Sequence, residues 1–265
     1  MKFVMNGACG RMGRLIIALA HQESDMELYG AVDIESAHTG TDIGEIAGIG
    51  KLGLPLSSDL RKVIGGADVV LDFSLADAVL KTASICGEKG VALVEGTTGL
   101  DASARQELTR LVKSIPCVFA PNMSVGVNLL FKLAAETASI LGTGYDVEIM
   151  EVHHRFKKDA PSGTANHLAE VIAESRMTPI EDNAIYGRHG IIGERPPGEI
   201  GIHALRVGDV IGEHTVTFGT IGERIELVHK AQSRDALAKG AIIAARYVVN
   251  VKPGLYDMQD VLGFK

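Results

Sequence analysis

The chain has 265 residues, 46% hydrophobic and 22% charged, with a formal net charge of −7; that length suits one large domain or two modest ones, with cores that need no staples. An acidic balance argues against nucleic acid and anionic membranes as bulk partners. Three widely spaced cysteines, Cys9, Cys86 and Cys117, argue against a disulfide framework or a zinc site and fit a reducing cytoplasm. In the same vein, Met1 leads directly to Asn6 and Gly7 with no secretory pattern. No apolar run is expected to approach the roughly 20 residues of a bilayer span.

Residues 2–5 predict a short apolar strand that enters Gly7-Ala8-Cys9-Gly10-Arg11-Met12-Gly13, followed by a helix over 15–20. Strand, glycine-rich turn and helix are the setting of a dinucleotide fingerprint, here spaced Gly-x-x-Gly-x-x-Gly. Gly7 opens the turn, Gly10 lets backbone approach a pyrophosphate, and Gly13 lets the helix pack on the strand. Residues 7–12 are therefore expected cofactor contacts. The next strand, 27–33, ends in Asp33, placed where a carboxylate binds the ribose hydroxyls. Ile34 follows where a basic residue would help hold a 2′-phosphate, which favours NADH; Arg11 keeps NADPH open.

Residues 34–55 are rich in Gly, Ser and Thr and predict loop with short pieces. Strands are then expected over 67–73, 90–95 and 117–120, alternating with helices around 59–64, over 77–89 and from Asp101 to Val112. That alternation predicts a doubly wound parallel sheet, a Rossmann-type α/β domain. Ligands of such sheets sit outside the carboxyl ends of the strands. Gly96, Thr97 and Thr98, and Ala120, Pro121, Asn122 and Met123, are thus placed beside the nicotinamide.

Ser124 caps a long apolar helix over 125–141, and Val147, Ile149 and Val152 mark the strand that follows. This strand ends in a basic cluster, His153, His154, Arg155, Lys157 and Lys158. Pro161 and Gly163 break the chain, and Ser162 or Thr164 caps the next helix. A helix start facing two His, an Arg and two Lys suits a small anion with proton donors beside it. If the strand continued through both histidines, their rings would point to opposite faces and could not chelate one ion, so no metal is expected. Residues 177–197 predict irregular chain. Three strands follow, 200–207, 210–218 and 224–230, giving an α+β domain with a mostly antiparallel mixed sheet. His203 and His214 lie in these strands and are expected to be structural. An open Val/Ile-patterned sheet face suggests burial against another subunit. A last helix, 233–250, and the 253–258 tail are expected to rejoin the first domain.

Residues 7–13, Gly96-Thr97-Thr98-Gly99, the 121–126 segment and the run from Glu148 through His153-His154 and Lys157 to Pro161-Ser162-Gly163-Thr164-Ala165 together resemble the dihydrodipicolinate reductase family. The likeness spans nearly the whole chain. It implies reduction of 4-hydroxy-tetrahydrodipicolinate (dihydrodipicolinate) to tetrahydrodipicolinate by NADH or NADPH in lysine and diaminopimelate biosynthesis, by a cytoplasmic homotetramer. It implies a dinucleotide-binding domain of residues 1–123 and 235–265, and a substrate-binding and oligomerisation domain of 124–234. His153 would be the acid/base residue and Lys157 a second proton donor. His154, Gly163 and Thr164, with Ser162 of the same turn, would contact a small dicarboxylate substrate. An aromatic residue found near the cofactor end in some relatives is Leu237 here, so a stacking role is not carried over. The rival readings are another nicotinamide-dependent dehydrogenase of an amino-acid pathway, which in its semialdehyde form needs a nucleophilic Cys, and a non-catalytic dinucleotide sensor.

Overall fold

The first strand, β1 (Lys2–Asn6), buries Phe3, Val4 and Met5, as a strand covered on both faces must. In the computed structural model, which describes residues 1–265, the chain divides into two units, Met1–Val125 with Asp235–Lys265, and Gly126–Arg234. In the first unit β1 is followed by α1 (Arg11–Ala20), β2 (Glu27–Val32), α2 (Ile43–Ala47), α3 (Leu60–Val63), β3 (Val69–Asp72), α4 (Ala76–Lys89), β4 (Ala92–Glu95), α5 (Ala102–Leu111) and β5 (Pro116–Phe119). The second unit is built from α6 (Val125–Leu141), β6 (Asp146–His153), α7 (Gly163–Ser175), α8 (Ile180–Asn183), β7 (Ala184–Tyr186), β8 (Ile200–Arg206), β9 (Gly212–Thr220) and β10 (Glu223–Ala231). The chain then returns to the first unit as α9 (Asp235–Val248), β11 (Gly254–Tyr256) and α10 (Met258–Val261).

The first sheet runs β11-β5-β4-β3-β1-β2, with every pairing parallel. Its strand order turns back between β1 and β3, the switch point at which such sheets bind ligands. Separate cores cover its two faces. One joins Phe3, Met5, Leu71 and Val94 to the inner sides of α1 and α9. The other joins Val4, Val70, Leu93 and Cys117 to α4 and α5. Each fully buried aliphatic side chain here stabilises the fold by about 1.5–3 kcal/mol, which explains why β3 and β4 read as unbroken apolar runs.

The second sheet runs β10-β9-β6-β8-β7. Its β10-β9-β6 half is antiparallel, while β8 joins β6 and β7 in parallel. Along β6 the side chains alternate, and Val147, Ile149 and Glu151 take the buried side. That side carries one core with α6 and α7. Two expectations change. The segment 177–197 holds α8 and β7; β7 is a three-residue edge strand whose order comes from pairing with β8, too short to leave a sequence pattern. The stretch Val125–Gly144 has mean hydropathy 1.3 and is long and apolar enough by length and composition to cross a bilayer. In the fold its Val127, Leu130, Phe131, Ala134 and Ala138 fill the core of the second unit.

Candidate active site

The glycine turn is built by close approaches that no side chain could survive. Gly7 adopts φ +77°, and a Cβ there would lie 2.5 Å from the Phe73 carbonyl oxygen. A Cβ on Gly13 would lie 2.2 Å from the Gly7 oxygen, so α1 can sit on the turn only with glycine at that point. The Gly7 and Ala8 N–H groups donate to the Val32 carbonyl at 2.9 and 3.0 Å, locking the turn to β2. Cys9 N–H donates to Asp33 Oδ2 at 2.7 Å and Ile34 N–H to Asp33 Oδ1 at 2.8 Å, so the acid at the end of β2 also holds the turn. Gly10 starts α1, and no side chain caps it. The first N–H groups of the helix, with Arg11 exposed and Met12 half-buried beside them, form the kind of opening that takes a phosphate.

The loops after β3, β4 and β5 complete this edge. The Phe73 ring occupies the space beside Gly96, where a Cβ would lie 2.3 Å from a ring carbon. Thr97 is buried, and its hydroxyl, like that of Ser74, has no partner within the chain. Thr98 is exposed. After β5, Ala120 and Met123 are buried, Pro121 is exposed and Asn122 Oδ1 accepts from Ser124 N–H at 3.0 Å. Gly240 of α9 lets that helix pass the Met123 carbonyl, 1.7 Å from where a Cβ would stand. Leu237 is half-buried on α9.

In the second unit β6 ends at His153, and His154 already belongs to the following turn, closed by Lys157 N–H donating to the His154 carbonyl at 3.1 Å. The strand therefore separates the two rings by stopping between them. His153 Nδ1 lies 2.5 Å from Glu151 Oε2. Arg206 grips both oxygens of Glu151 at 2.9 Å, and Ser162 N–H donates to Oε1 at 3.1 Å. Burial alone would raise the Glu151 pKa, but Arg206 and His153 outweigh it and hold the carboxyl below the ordinary range. An ionised Glu151 can only accept, so Nδ1 of His153 carries the hydrogen and Nε2 is the atom left to exchange a proton. Gly212 makes room for that atom; a Cβ there would lie 3.0 Å from Nε2. Burial lowers the His153 pKa, Lys157 and Arg206 add to the effect, and Glu151 opposes it only in part.

Lys157 Nζ lies 2.8 Å from Asp159 Oδ2 and keeps a fifth of its side chain exposed. His154 Nδ1 is buried and has no partner within the chain. Gly163 is exposed at the first position of α7, with Thr164 half-buried after it. The cap of α7 is Ser162, whose Oγ accepts from Ala165 N–H at 3.1 Å. Ser162, expected among the substrate contacts, is buried, and its hydroxyl also meets His214 Nε2 at 3.2 Å. Its polar atoms are spent inside the chain, so it builds the site without facing it. His214 stacks edge-on to His153, ring centres 5.2 Å apart, and burial followed by the His153 charge pushes its pKa down to about 3. Glu148, which opens the motif, points to the other face of the sheet, toward Arg188, Arg195 and His203.

Sequence reasoning missed Glu151 and Arg206. Glu151 was findable: it stands on the apolar side of β6, two residues before His153, and a buried carboxylate demands a cation. Arg206 and His214 are register partners of His153 and Glu151 on β8 and β9, which only strand pairing reveals. No group of three or more His, Cys, Asp or Glu converges as metal ligands would. Burial raises the thiol pKa of all three cysteines, so none has the character of a nucleophile.

Two family models match the chain, dihydrodipicolinate reductase, N-terminus, over residues 1–123, and dihydrodipicolinate reductase, C-terminus, over 126–262. A 4-hydroxy-tetrahydrodipicolinate reductase of Syntrophus aciditrophicus is 50% identical over 266 residues, covering 100% of this chain and 99% of that protein. The one from Magnetococcus marinus is 50% identical over 267 residues, with the same coverage. Among solved structures, dipicolinate-bound dihydrodipicolinate reductase from Paenisporosarcina sp. TG-14 superposes with a TM-score of 0.75 at 25% identity, over 98% of both chains.

Proposed function

The chain belongs to the dihydrodipicolinate reductase family, and from that premise we propose how its residues reduce 4-hydroxy-tetrahydrodipicolinate to tetrahydrodipicolinate with NAD(P)H, a step of lysine biosynthesis. The observation that carries the reading is the Glu151–His153 pair, fixed by Arg206, at the end of the strand that leads to Lys157 and the start of α7.

The first unit fits a dinucleotide. The uncapped α1 start takes the pyrophosphate through residues 10–12, and Asp33 takes the ribose hydroxyls. The partnerless Thr97 hydroxyl and the 120–123 loop serve the nicotinamide half. When bound, the dihydronicotinamide supplies the hydride. NADH is the preferred donor, because Asp33 repels a 2′-phosphate and the exposed Ile34 beside it offers no compensating charge.

The second unit holds the dicarboxylate. Lys157, His154 and the Gly163–Thr164 helix start supply positive charge and N–H donors for its two carboxylates. Loss of the 4-hydroxyl as water gives the conjugated ring; hydride addition at C4 then pushes electrons toward nitrogen and leaves an enamine that must gain a proton. His153 Nε2 delivers it, while Glu151 keeps the ring oriented and stabilises the imidazolium. In the free chain burial keeps His153 neutral at neutral pH. A doubly negative substrate raises its proton affinity, so the proton arrives with the substrate that needs it. Lys157 favours the electron-rich transition state and backs the proton transfer. The exposed apolar residues of the second sheet, Met150, Leu205, Ile225 and Val228, suit association of four copies, and the working compartment is the cytoplasm.

Oxidation of NADH and NADPH, followed by loss of dihydronicotinamide absorbance with substrate generated in situ from pyruvate and aspartate semialdehyde, tests the reading. Turnover with both cofactors and a higher kcat/KM for NADH is expected. Absence of turnover with either would overturn it.

A further inference from the structure

Two acids lie sealed in the first sheet, outside the chemistry described so far. Asp72 and Glu95 end β3 and β4, are register partners on adjacent parallel strands, and are both 0% exposed. Register partners project from the same face of a sheet. One oxygen of each is committed to its own loop: Asp72 Oδ1 accepts from Ser74 N–H at 2.9 Å and Glu95 Oε1 from Thr97 N–H at 2.8 Å. The second oxygens, Asp72 Oδ2 and Glu95 Oε2, have no donor among the other residues. Asp72 and Thr97 are the neighbours that act on the Glu95 carboxyl.

No cation attends them. On β1, Asn6 is the register partner of Asp72, but its amide donates to Thr82 at 3.0 Å. The titratable groups facing the pair are the buried thiols of Cys86 on α4, whose ionisation both acids disfavour, and of Cys117 on β5, whose ionisation Glu95 disfavours. The charged residues of α4 are exposed at the helix surface. From α5, the other helix on this face, Arg105 is exposed and lies over the ring of Phe119, the register partner of Glu95 on β5, at 5.9 Å. Two negative charges at such a place cannot both persist. A single proton between Oδ2 and Oε2 satisfies both orphaned oxygens at once. Burial, then the charge of Asp72, pushes the Glu95 pKa up to about 9.

We propose that Asp72 and Glu95 share one proton and act as a positioning pair, tying the Phe73–Ser74 loop to the Gly96–Thr97 loop that receives the nicotinamide half of the coenzyme. The inference rests on the cofactor reading given above. Its mechanical basis is the wedge formed by Phe73. The Phe73 carbonyl fills the space beside Gly7, and its ring fills the space beside Gly96. Separation of the two acids therefore shifts both loops, together with the partnerless hydroxyls of Ser74 and Thr97. Removal of the shared proton leaves two facing carboxylates, which repel.

The test is NADH binding, by fluorescence titration across pH, to the wild type, Glu95→Gln, Glu95→Ala and Asp33→Ala, alongside infrared difference spectra of the wild type and Glu95→Gln. The wild type should show the carbonyl stretch of a protonated carboxylic acid at neutral pH, missing in Glu95→Gln. Its affinity for NADH should hold up to about pH 9 and then fall about 5-fold or more. Glu95→Ala should bind weakly at every pH, since Thr97 N–H loses its acceptor and Asp72 is left alone. Glu95→Gln should recover the neutral-pH affinity, because its amide donates to Asp72 and accepts from Thr97, and should lose the alkaline fall. Absence of the acid band, or an alkaline fall that persists in Glu95→Gln, overturns the pair. A flat wild-type profile with binding that still depends on Asp33 overturns the pair alone. Binding indifferent to Asp33 overturns the cofactor reading and the pair's role with it.

Discussion

Glu95 and Glu151 are the same residue type, each in the last turn-ward positions of a strand in its own sheet and each fully shut off from solvent. Their states are opposite. Glu151 is gripped by Arg206 and bonded to His153, and stays ionised. Glu95 faces another acid and holds its proton until about pH 9. Burial pushes both the same way, so the neighbour decides. A cation makes one of them an anchor for an acid/base imidazole. A second carboxyl makes the other an internal hydrogen-bond donor.

The largest effect should come from the group that Glu151 serves. His153→Ala should lower kcat about 10²–10⁴-fold with little change in KM, as loss of a general acid does. Because Glu151 acts through His153, adding Glu151→Gln to that variant should cost little more. A double variant far slower than His153→Ala would show that the two act independently and break the contrast.

Stability should separate the two glutamates next. Glu151→Gln leaves the partly exposed Arg206 without its counter-charge and should destabilise the chain by about 3 kcal/mol, the low end for a broken buried pair. Glu95→Gln keeps both hydrogen bonds and should cost about 1 kcal/mol or less. Urea midpoints measured across pH carry the sign. The lowered Glu151 pKa gives stability that is present above the ordinary carboxylate range and lost as pH falls through it. The raised Glu95 pKa gives stability that is present in acid and lost as pH climbs toward about 9. Each variant should flatten only its own limb, and equal losses at both ends in either would dissolve the distinction.

The smallest expected effect concerns the open end of the second site. Lys157→Met should weaken pyridine-2,6-dicarboxylate about 10- to 100-fold, the worth of one charged hydrogen bond, while NADH binding stays as it was. Unchanged affinity for the dicarboxylate would leave Asp159 as the true partner of that ammonium group.

Most of the fold was legible because its signals are local. The glycines at 7, 10 and 13, the apolar runs of β3 and β4 and the Pro161–Gly163 break each carry their meaning within a few residues. The strand β7 was not legible, since three residues paired through β8 leave no period to detect. Ser162 was half legible: its capping role is a local matter, whereas its burial against His214 depends on β9. The long apolar helix was legible as a helix, but its place in the core of the second unit depends on α7 and the second sheet packing against it.

The order of the sequence alone determined a parallel sheet with a glycine turn at its switch point and a His-His-x-x-Lys cluster between a strand and a helix, because backbone preference and side-chain period act over short spans. Tertiary structure decided which charges those residues carry. Arg206 reaches Glu151 from 55 residues away, and Asp72 meets Glu95 across a strand pairing. Electrostatic energy depends on distance in space and on exclusion of water, and the chain acquires both only when its sheets close.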